Sequence, residues 1–279
     1  IRSSNGGELY WSAMPDGPLR AAGTDAVDVP WRPDAHRTER MMAIPTSMFW
    51  QRPLPRQPSA AILRAAEVDA YGRLGPVRLH ARPMVEHGAL SLLFLCLPES
   101  ALFDADTGIY VVGNAMLNGV HPKDFKYERA PNKFRYPGNF HGRGQTWERR
   151  ALACFVDPDG AERFQGEVGV RIHGQMTRAF PQHALRLIFD PPSPVPLYVP
   201  GEGMGTKVVI ARAAGNDQVK AFMRDALLQR LCAESMSETS ASSSHVLYIN
   251  GAYWGIHHLR QRVDEHELAR RHGVLPKEV

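Results

Sequence analysis

The pattern of apolar and polar residues predicts short strands over the first part of the chain. Apolar runs occur at residues 8–14, 46–52 and 60–68, and Pro, Gly and Asp separate them. These residues punctuate strands because they set turn geometry or break strand pairing. Proline is frequent over residues 15–58, which favours irregular loops over helices. We therefore predict that residues 1–82 form a small all-β sandwich.

Further strands are predicted after a boundary at residues 83–90. Apolar runs at 91–98 and 108–113 are typical of strands, with a turn between them. Residues 114–146 show no period and predict a long loop, which is often functional in a compact domain. Alternation then resumes at 147–174, where a hairpin is expected at Asp157-Pro158-Asp159-Gly160. Two more strands are predicted, at residues 183–190 and 208–213.

One long helix and one hairpin are the clearest elements near the end of the chain. Apolar residues repeat at helical spacing over 216–236, and Asn216 or Asp217 is expected to cap the helix. Asn250-Gly251 predicts a tight hairpin between strands at 245–250 and 252–259. A last helix is expected to begin at Asp264, with Glu267 completing a capping box, and to end at Gly273.

Composition excludes several classes of protein. The 279 residues carry a net charge of only +4, and the Lys and Arg residues are spread along the chain. No nucleic-acid partner is therefore expected. No apolar run reaches the roughly 18 residues of a membrane helix. The chain starts Ile-Arg-Ser without a secretory signal, so we expect it to be part of a longer protein.

The common catalytic and metal motifs are absent or wrongly spaced. In HELARRH the second histidine is His272, six residues after His266, so the two rings would face different sides of a helix. The three cysteines form no CxxC pair, so no metal site is predicted. Adjacent residues His257 and His258 would face opposite sides of a strand. The stretch GEGMGTK at 201–207 lacks Walker spacing and is interpreted as a turn.

Cations concentrate on one predicted hairpin. The stretch 171–187 reads RIHGQMTRAFPQHALRL, a strand, a turn containing Gly174 and a second strand. Such a ribbon could hold a polyphosphate, because guanidinium groups bind phosphate oxygens in a bidentate way. A hairpin that is simply charged on its solvent face is the alternative. The cations concerned are Arg171, His173, Arg178, His183 and Arg186.

Two resemblances add to this interpretation, the first at the start of the chain. ELYWSAMPDGP and ILRAAEVDAYGRLGP resemble the opening and closing stretches of chitobiase C-terminal-like, immunoglobulin-like modules. In that family the module is a non-catalytic spacer. The match is loose at residues 11–14, where that family has a shorter strand end.

The second resemblance covers residues 88–279. WERRALACFVDPDGAERFQGEVGVRIHG, GNDQVKAFMRDALLQRL and VLYINGAYWGIHHLRQRVDEHELARR resemble the CotH spore-coat kinase family in order and spacing. This resemblance implies an α+β fold, with an atypical kinase-like first lobe made of a twisted antiparallel sheet plus helices. It also implies ATP and Mg or Mn as cofactors, a serine-bearing coat or surface protein as substrate, and an extracellular or cell-surface location.

Two departures from the CotH pattern bear on activity. His183 stands where the family usually has a lysine, and Gln261 stands where it often has a glutamate. A kinase Lys–Glu pair would thus become a His–Gln pair, without either charge. This change favours the alternative of a non-catalytic surface scaffold.

The resemblance also implies that the metal-binding and catalytic aspartates lie after residue 279, so no catalytic residue is expected in this chain. If a nucleotide binds, the expected phosphate-binding residues are Arg171, His173, Arg178, His183, Arg186 and Gln261.

Overall fold

The computed structural model describes residues 1–4, 6–54, 56–117, 136–194, 197, 207–235 and 239–278. The side chains of His266 and Arg270 are not part of this description. Most of the predicted loop at 114–146 and nearly all of the GEGMGTK turn lie outside the described residues.

The first part of the chain forms a four-stranded antiparallel sheet with one helix. The sheet order is β2-β1-β3-β4. Its strands are β1 (Leu9–Ser12), β2 (Arg20–Ala21), β3 (Ala60–Glu67) and β4 (Arg78–Pro83). The predicted strands at 8–14 and 60–68 are thereby confirmed, whereas the predicted strand at 46–52 is wrong, because turns and bends occupy it.

Helix α1 (Ala35–Met42) corrects the all-β prediction for residues 1–82. The Asp34 side chain caps the helix by accepting a hydrogen bond from the Arg37 amide at 2.8 Å. Met41 is fully buried and packs into the main core. The helix fits between Pro33 and Pro45, so the frequent prolines bound it without interrupting it.

Seven strands form a closed barrel, in the order β10-β11-β9-β8-β7-β6-β5. Neighbours are antiparallel except β5 and β10, whose parallel pairing closes the barrel. The α+β class is confirmed, but the antiparallel sheet of the prediction is a barrel with one parallel pair. The strands are β5 (Ser91–Cys96), β6 (Arg149–Val156), β7 (Glu162–His173), β8 (Ala184–Ile188), β9 (Val208–Arg212), β10 (Ser242–Ile249) and β11 (Ala252–Gln261).

The remaining helices of the described residues are short. They are α2 (Glu99–Phe103), α3 (Gly113–Leu117), α4 (Arg224–Leu231) and α5 (Glu265–His272), with 3-10 turns at Asn139–His141, Gln145–Trp147, Met176–Ala179, Gly215–Asp217 and Pro276–Glu278. None of the helices in the described ranges is long and apolar enough to cross a membrane. The strand predicted at 108–113 is wrong, because this stretch is a turn that leads into α3.

The predicted helix at 216–236 is much shorter than its apolar spacing indicated. Phe222 has a φ of +62°, a left-handed conformation that interrupts a helix, and α4 begins only at Arg224. The residue at the N-cap position is Met223 and not Asn216 or Asp217, but the Asp217 carboxylate accepts hydrogen bonds from the amides of Ala221 and Arg224. The apolar side chains of this stretch are largely solvent-exposed, namely Val219, Met223, Leu227, Leu228 and Leu231.

The hairpin turn at Asn250-Gly251 and the helix cap at Asp264 are confirmed. Asn250 and Gly251 take φ values of +51° and +87°, as a tight hairpin requires. The buried Asn250 side chain also accepts from the Leu97 amide at 2.9 Å and donates to the Leu97 carbonyl at 2.8 Å. Asp264 caps α5 through the Glu267 amide, and Gly273 ends the helix in the left-handed conformation.

The sheet and the barrel share a second, smaller core. Ile62 and Leu79 of the sheet pack with Phe94, Cys154 and Tyr248 of the barrel. The sheet therefore packs on the barrel, where the prediction had a separate sandwich. The division into residues 1–82 and 88–279 stays a prediction.

Candidate anion-binding face

Alternation along the barrel strands separates an apolar interior from a charged exterior. On β8, Leu185 and Leu187 are fully buried in the main core, whereas Arg186 between them is partly exposed. Strand register places Arg171 opposite Arg186, Arg186 opposite Ile210, and Ile210 opposite Arg260. Three of the four residues in this row across the barrel are thus arginines.

We name the outer surface of β7, β8, β9 and β11 the basic face. Besides the row just described, it carries two further pairs, His173 with Ala184 and Arg212 with His258. The side chains of the basic face are therefore Arg171, His173, Arg186, Ile210, Arg212, His258 and Arg260.

Arg171 has a carboxylate partner. Its Nε atom donates to Glu148 Oε2 at 2.7 Å, and a second guanidinium nitrogen contacts the same oxygen. Glu148 lies over Gly169, where any Cβ would collide with its carboxylate. A glycine at this position thus leaves room for the Glu148–Arg171 ion pair.

Arg186 has no such partner. Within the described residues it forms no ion pair, and its buried Nε atom has no hydrogen-bond acceptor. Burial lowers the pKa of Arg186, and Arg262, Arg171 and Arg143 lower it further, against an opposing effect of Asp264. Like charges directly opposite on neighbouring strands are destabilising, and Arg186 faces the charge of Arg171 with no ion pair of its own in the described residues.

His173 lies beside these arginines as a neutral ring. Burial and the positive charges of four arginines lower its pKa to about 3. Its buried Nδ1 atom has no hydrogen-bond partner within the described residues. His173 can therefore offer a polar contact to a bound anion, without adding charge near pH 7.

Arg178, by contrast, is part of the scaffold. Its guanidinium donates to the carbonyl groups of Gly174 at 2.6 Å, Phe140 at 2.9 Å and Gly142 at 3.0 Å. These contacts fix the connection between β7 and β8 against the turn at Asn139–His141. Burial lowers the pKa of Arg178 to about 9.

His183 lies inside the protein. Its ring is fully buried between Tyr110 and Phe140, with centroid distances of 4.3 Å and 5.1 Å. Neither ring nitrogen has a hydrogen-bond partner in the described part of the chain, and burial lowers the pKa of the ring to about 3. The ring therefore does not contact solvent, where a phosphate would be.

Gln261 is also buried, and it holds α5 against the barrel. Its Oε1 atom accepts from Arg271 at 2.8 Å, and Arg271 also pairs with Glu267 at 2.9 Å. His183 and Gln261 are not neighbours. The His183 carbonyl contacts His257 Nε2 at 3.3 Å. Gln261 is four positions further along β11, about 13 Å at the usual rise of a strand.

The structure thus brings three of the six predicted residues together, namely Arg171, His173 and Arg186. Arg178, His183 and Gln261 serve the scaffold. The sequence interpretation missed Arg212 and Arg260, although Arg212 alternates with buried residues in the predicted strand at 208–213 and Arg260 directly follows the predicted strand at 252–259.

Of the cofactors that the family resemblance implies, the described residues suit the phosphates of ATP better than Mg or Mn. The guanidinium group of Arg186, which has no carboxylate partner in the described residues, suits a phosphate of ATP. A divalent ion prefers carboxylate oxygens, and the described residues include no group of three or more His, Cys, Asp or Glu side chains placed to hold one. No step involving a metal is therefore derived for this chain.

Comparison with known proteins supports one family. Residues 170–279 match the family model described as CotH kinase protein. The match begins within β7 and includes β8, β9, α4, β10, β11 and α5, and so every side chain named for the basic face. No curated protein matches the chain.

Proposed function

We propose that the chain is part of a CotH-like protein kinase and that the basic face binds the phosphate groups of ATP. The observation that carries the proposal is Arg186, which faces Arg171 across β7 and β8 and has no anionic partner in the described residues. A bound phosphate would supply the missing negative charge and the missing hydrogen-bond acceptors.

The residues divide into two roles in this proposal. Arg171, His173 and Arg186 contact phosphate oxygens, with Arg212 and Arg260 on the neighbouring strands extending the site. Arg178, His183 and Gln261 keep the supporting structure in place through the contacts described above. The proposed phosphate-binding residues thus keep three of the six predicted from sequence and add Arg212 and Arg260.

The finer parts of the proposal rest on the family match. ATP would arrive with Mg or Mn, which neutralises charge on the phosphates during transfer. The substrate would be a serine in a coat or surface protein, at an extracellular or cell-surface location. We assign no catalytic residue within 1–279.

A non-catalytic surface scaffold is the second candidate. It is favoured by the buried, neutral ring at position 183 and by the engagement of Gln261 with Arg271. Neither residue supplies the fixed charge that the family pattern has at these positions. A scaffold of this kind has no need to bind nucleotide.

Calorimetric titration with a phosphate series distinguishes the two candidates. The chain is titrated with ATP, ADP, AMP and adenosine at fixed, low ionic strength. Phosphate recognition predicts that affinity falls in that order and that adenosine does not bind measurably, because each lost phosphate removes charge from the contact. Absence of ATP binding, or equal affinity for ATP and adenosine, would overturn the proposal.

A further inference from the structure

Asp225 connects α4 to the basic face through two arginines at once. Its Oδ2 atom lies 3.0 Å from Arg212 Nε and 2.8 Å from Arg260 Nη1. A single carboxylate oxygen thus serves two guanidinium groups. The Nε and Nη2 atoms of Arg260 remain buried without a hydrogen-bond partner in the described residues.

A buried histidine lies next to these arginines. His258 neighbours Arg212 in register and is only 5% exposed, since the ring of Phe222 lies over it at 5.5 Å. Its Nδ1 atom contacts Ser244 Oγ at 2.9 Å, whereas its Nε2 atom has no partner within the described ranges. Beneath α4 there are thus more hydrogen-bonding groups than Asp225 satisfies.

Apart from Asp225, few contacts hold helix α4, among them the side-chain oxygen of Gln229, which accepts from the Ser240 amide at 2.9 Å. None of its residues is buried, and Leu227, Leu228 and Leu231 are about half exposed or more. Two contacts attach the stretch before it. The side-chain Nε2 atom of Gln218 donates to the Gln182 carbonyl at 2.6 Å, and the Phe222 ring packs against His258. An element with few buried apolar contacts opens at low free-energy cost.

We infer that Arg212 and Arg260 form a second anion subsite of the basic face, which Asp225 occupies when no phosphate is bound. The inference rests on the proposed function, since the ligand is the polyphosphate of that site. A phosphate offers several oxygens and more charge than the single oxygen of Asp225, so it satisfies donors that the carboxylate leaves unpaired.

Binding of the phosphate and docking of α4 then compete for the same guanidinium groups. By linkage, a polyphosphate that takes Arg212 and Arg260 weakens the attachment of α4, and docked α4 weakens the binding of polyphosphate by the same factor. Asp225 therefore sets the affinity of the subsite without contacting the ligand.

Inorganic tripolyphosphate tests this inference on the intact chain, by calorimetry and by amide hydrogen exchange. Asp225→Asn removes the competing charge, so we expect the tripolyphosphate Kd to fall. The fall should be roughly threefold or more, which corresponds to the free energy of a partly exposed ion pair. Arg260→Gln removes the subsite and is expected to raise the Kd. A general loss of folding would raise the Kd in both variants, whereas competition lowers it in Asp225→Asn and raises it in Arg260→Gln.

Hydrogen exchange gives the second readout. We expect the amides of 218–231 to lose protection when wild type binds tripolyphosphate, and to show the same loss in Asp225→Asn without ligand. Asp157→Asn is the matched control, because Asp157 pairs with Arg163 at 3.0 Å at the turn between β6 and β7. This control is expected to match wild type in both measurements.

The outcomes separate the two proposals. Tripolyphosphate binding that is unchanged or weakened in Asp225→Asn, with unaltered exchange over 218–231, overturns the competition and leaves the proposed function standing. Failure of wild type to bind tripolyphosphate at all overturns the proposed function itself.

Discussion

Arg171 and Arg186 lie directly opposite each other on β7 and β8, and of these two residues only Arg171 pairs with a carboxylate among the described residues. The positive charge at Arg186 is compensated neither by its strand neighbours nor by Glu148. The barrel thus presents a position where an anionic ligand gains from charges already in place. This relationship links the fold to the proposed binding of phosphate.

The buried position of His183 predicts that a lysine is not tolerated there. The ring lies fully buried between Tyr110 and Phe140, where no carboxylate pairs with it in the described residues. His183→Lys should lower the free energy of unfolding by about 3 kcal/mol or more, because an unpaired ammonium would be buried. Urea denaturation measures the change.

The control for this substitution is His183→Phe. It keeps an aromatic ring and removes two unpaired nitrogens, so its cost should be about 1.5 kcal/mol or less. A lysine variant as stable as wild type would show that the side chain reaches solvent and that position 183 is accessible to a ligand.

The separation of His183 and Gln261 predicts that restoring both family residues gives no rescue. His183 contacts His257, and Gln261 lies four positions further along β11, about 13 Å away at the usual rise of a strand. The effects of His183→Lys and Gln261→Glu on the free energy of unfolding should therefore add to within about 0.5 kcal/mol. A double-mutant cycle from urea denaturation measures the coupling, and a strongly favourable coupling would show a Lys–Glu pair that the described conformation does not contain.

Buried histidines predict a loss of stability in acid. Burial lowers the pKa of His173 and His183 to about 3 and of His245 and His257 to about 4. The unfolded chain, with histidine pKa values near 6.5, takes up protons before the folded protein does. Stability is therefore complete above about pH 6.5 and falls as the pH drops toward 3–4.

The slope of this loss is measurable one histidine at a time. Each such histidine contributes about 1.4 kcal/mol per pH unit between these limits. His183→Phe should reduce the slope of unfolding free energy against pH by that amount between pH 6 and 4. An unchanged slope would show that His183 is already solvated in the folded protein.

Asn250 should be critical for stability, since it joins the hairpin to β5. Its side chain forms two hydrogen bonds with the backbone of Leu97, and its φ is +51°. Asn250→Ala should cost about 3 kcal/mol, because two buried backbone groups lose their partners and alanine is strained at positive φ. Thermal and urea denaturation test this, with Asn114→Ala as the control, whose exposed bond to Asp106 should matter little.

Local chemistry could be predicted from the sequence where it is set within a few residues. Asn250-Gly251, the cap at Asp264 and the stop at Gly273 depend on their own backbone geometry. The parallel pairing of β5 with β10 could not be predicted, because it joins strands more than 140 positions apart and leaves no local signal. Helix α4 was predicted too long because apolar periodicity does not report whether a face finds a partner.

The same distinction holds for the candidate site. Arg171 and His173 share a face because alternate residues of a strand do, and the hairpin brings Arg186 opposite them. His183 is a candidate both as a cation of the hairpin and by resemblance to the family pattern, and Gln261 by resemblance alone, but neither signal reports which side chains the barrel buries. Arg212 and Arg260 join the site only through the pairing of β9 and β11, which links separate segments of the chain.

The most direct test of the central claim is calorimetric titration of ATP into Arg186→Gln, wild type and Arg20→Gln. Arg20 is an exposed arginine of β2 with no ion pair among the described residues, so its substitution removes the same charge outside the basic face. We predict that Arg186→Gln weakens ATP binding by about tenfold or more, as for loss of a charged hydrogen bond, and that Arg20→Gln leaves it unchanged. Equal ATP affinity in Arg186→Gln and wild type would contradict the account.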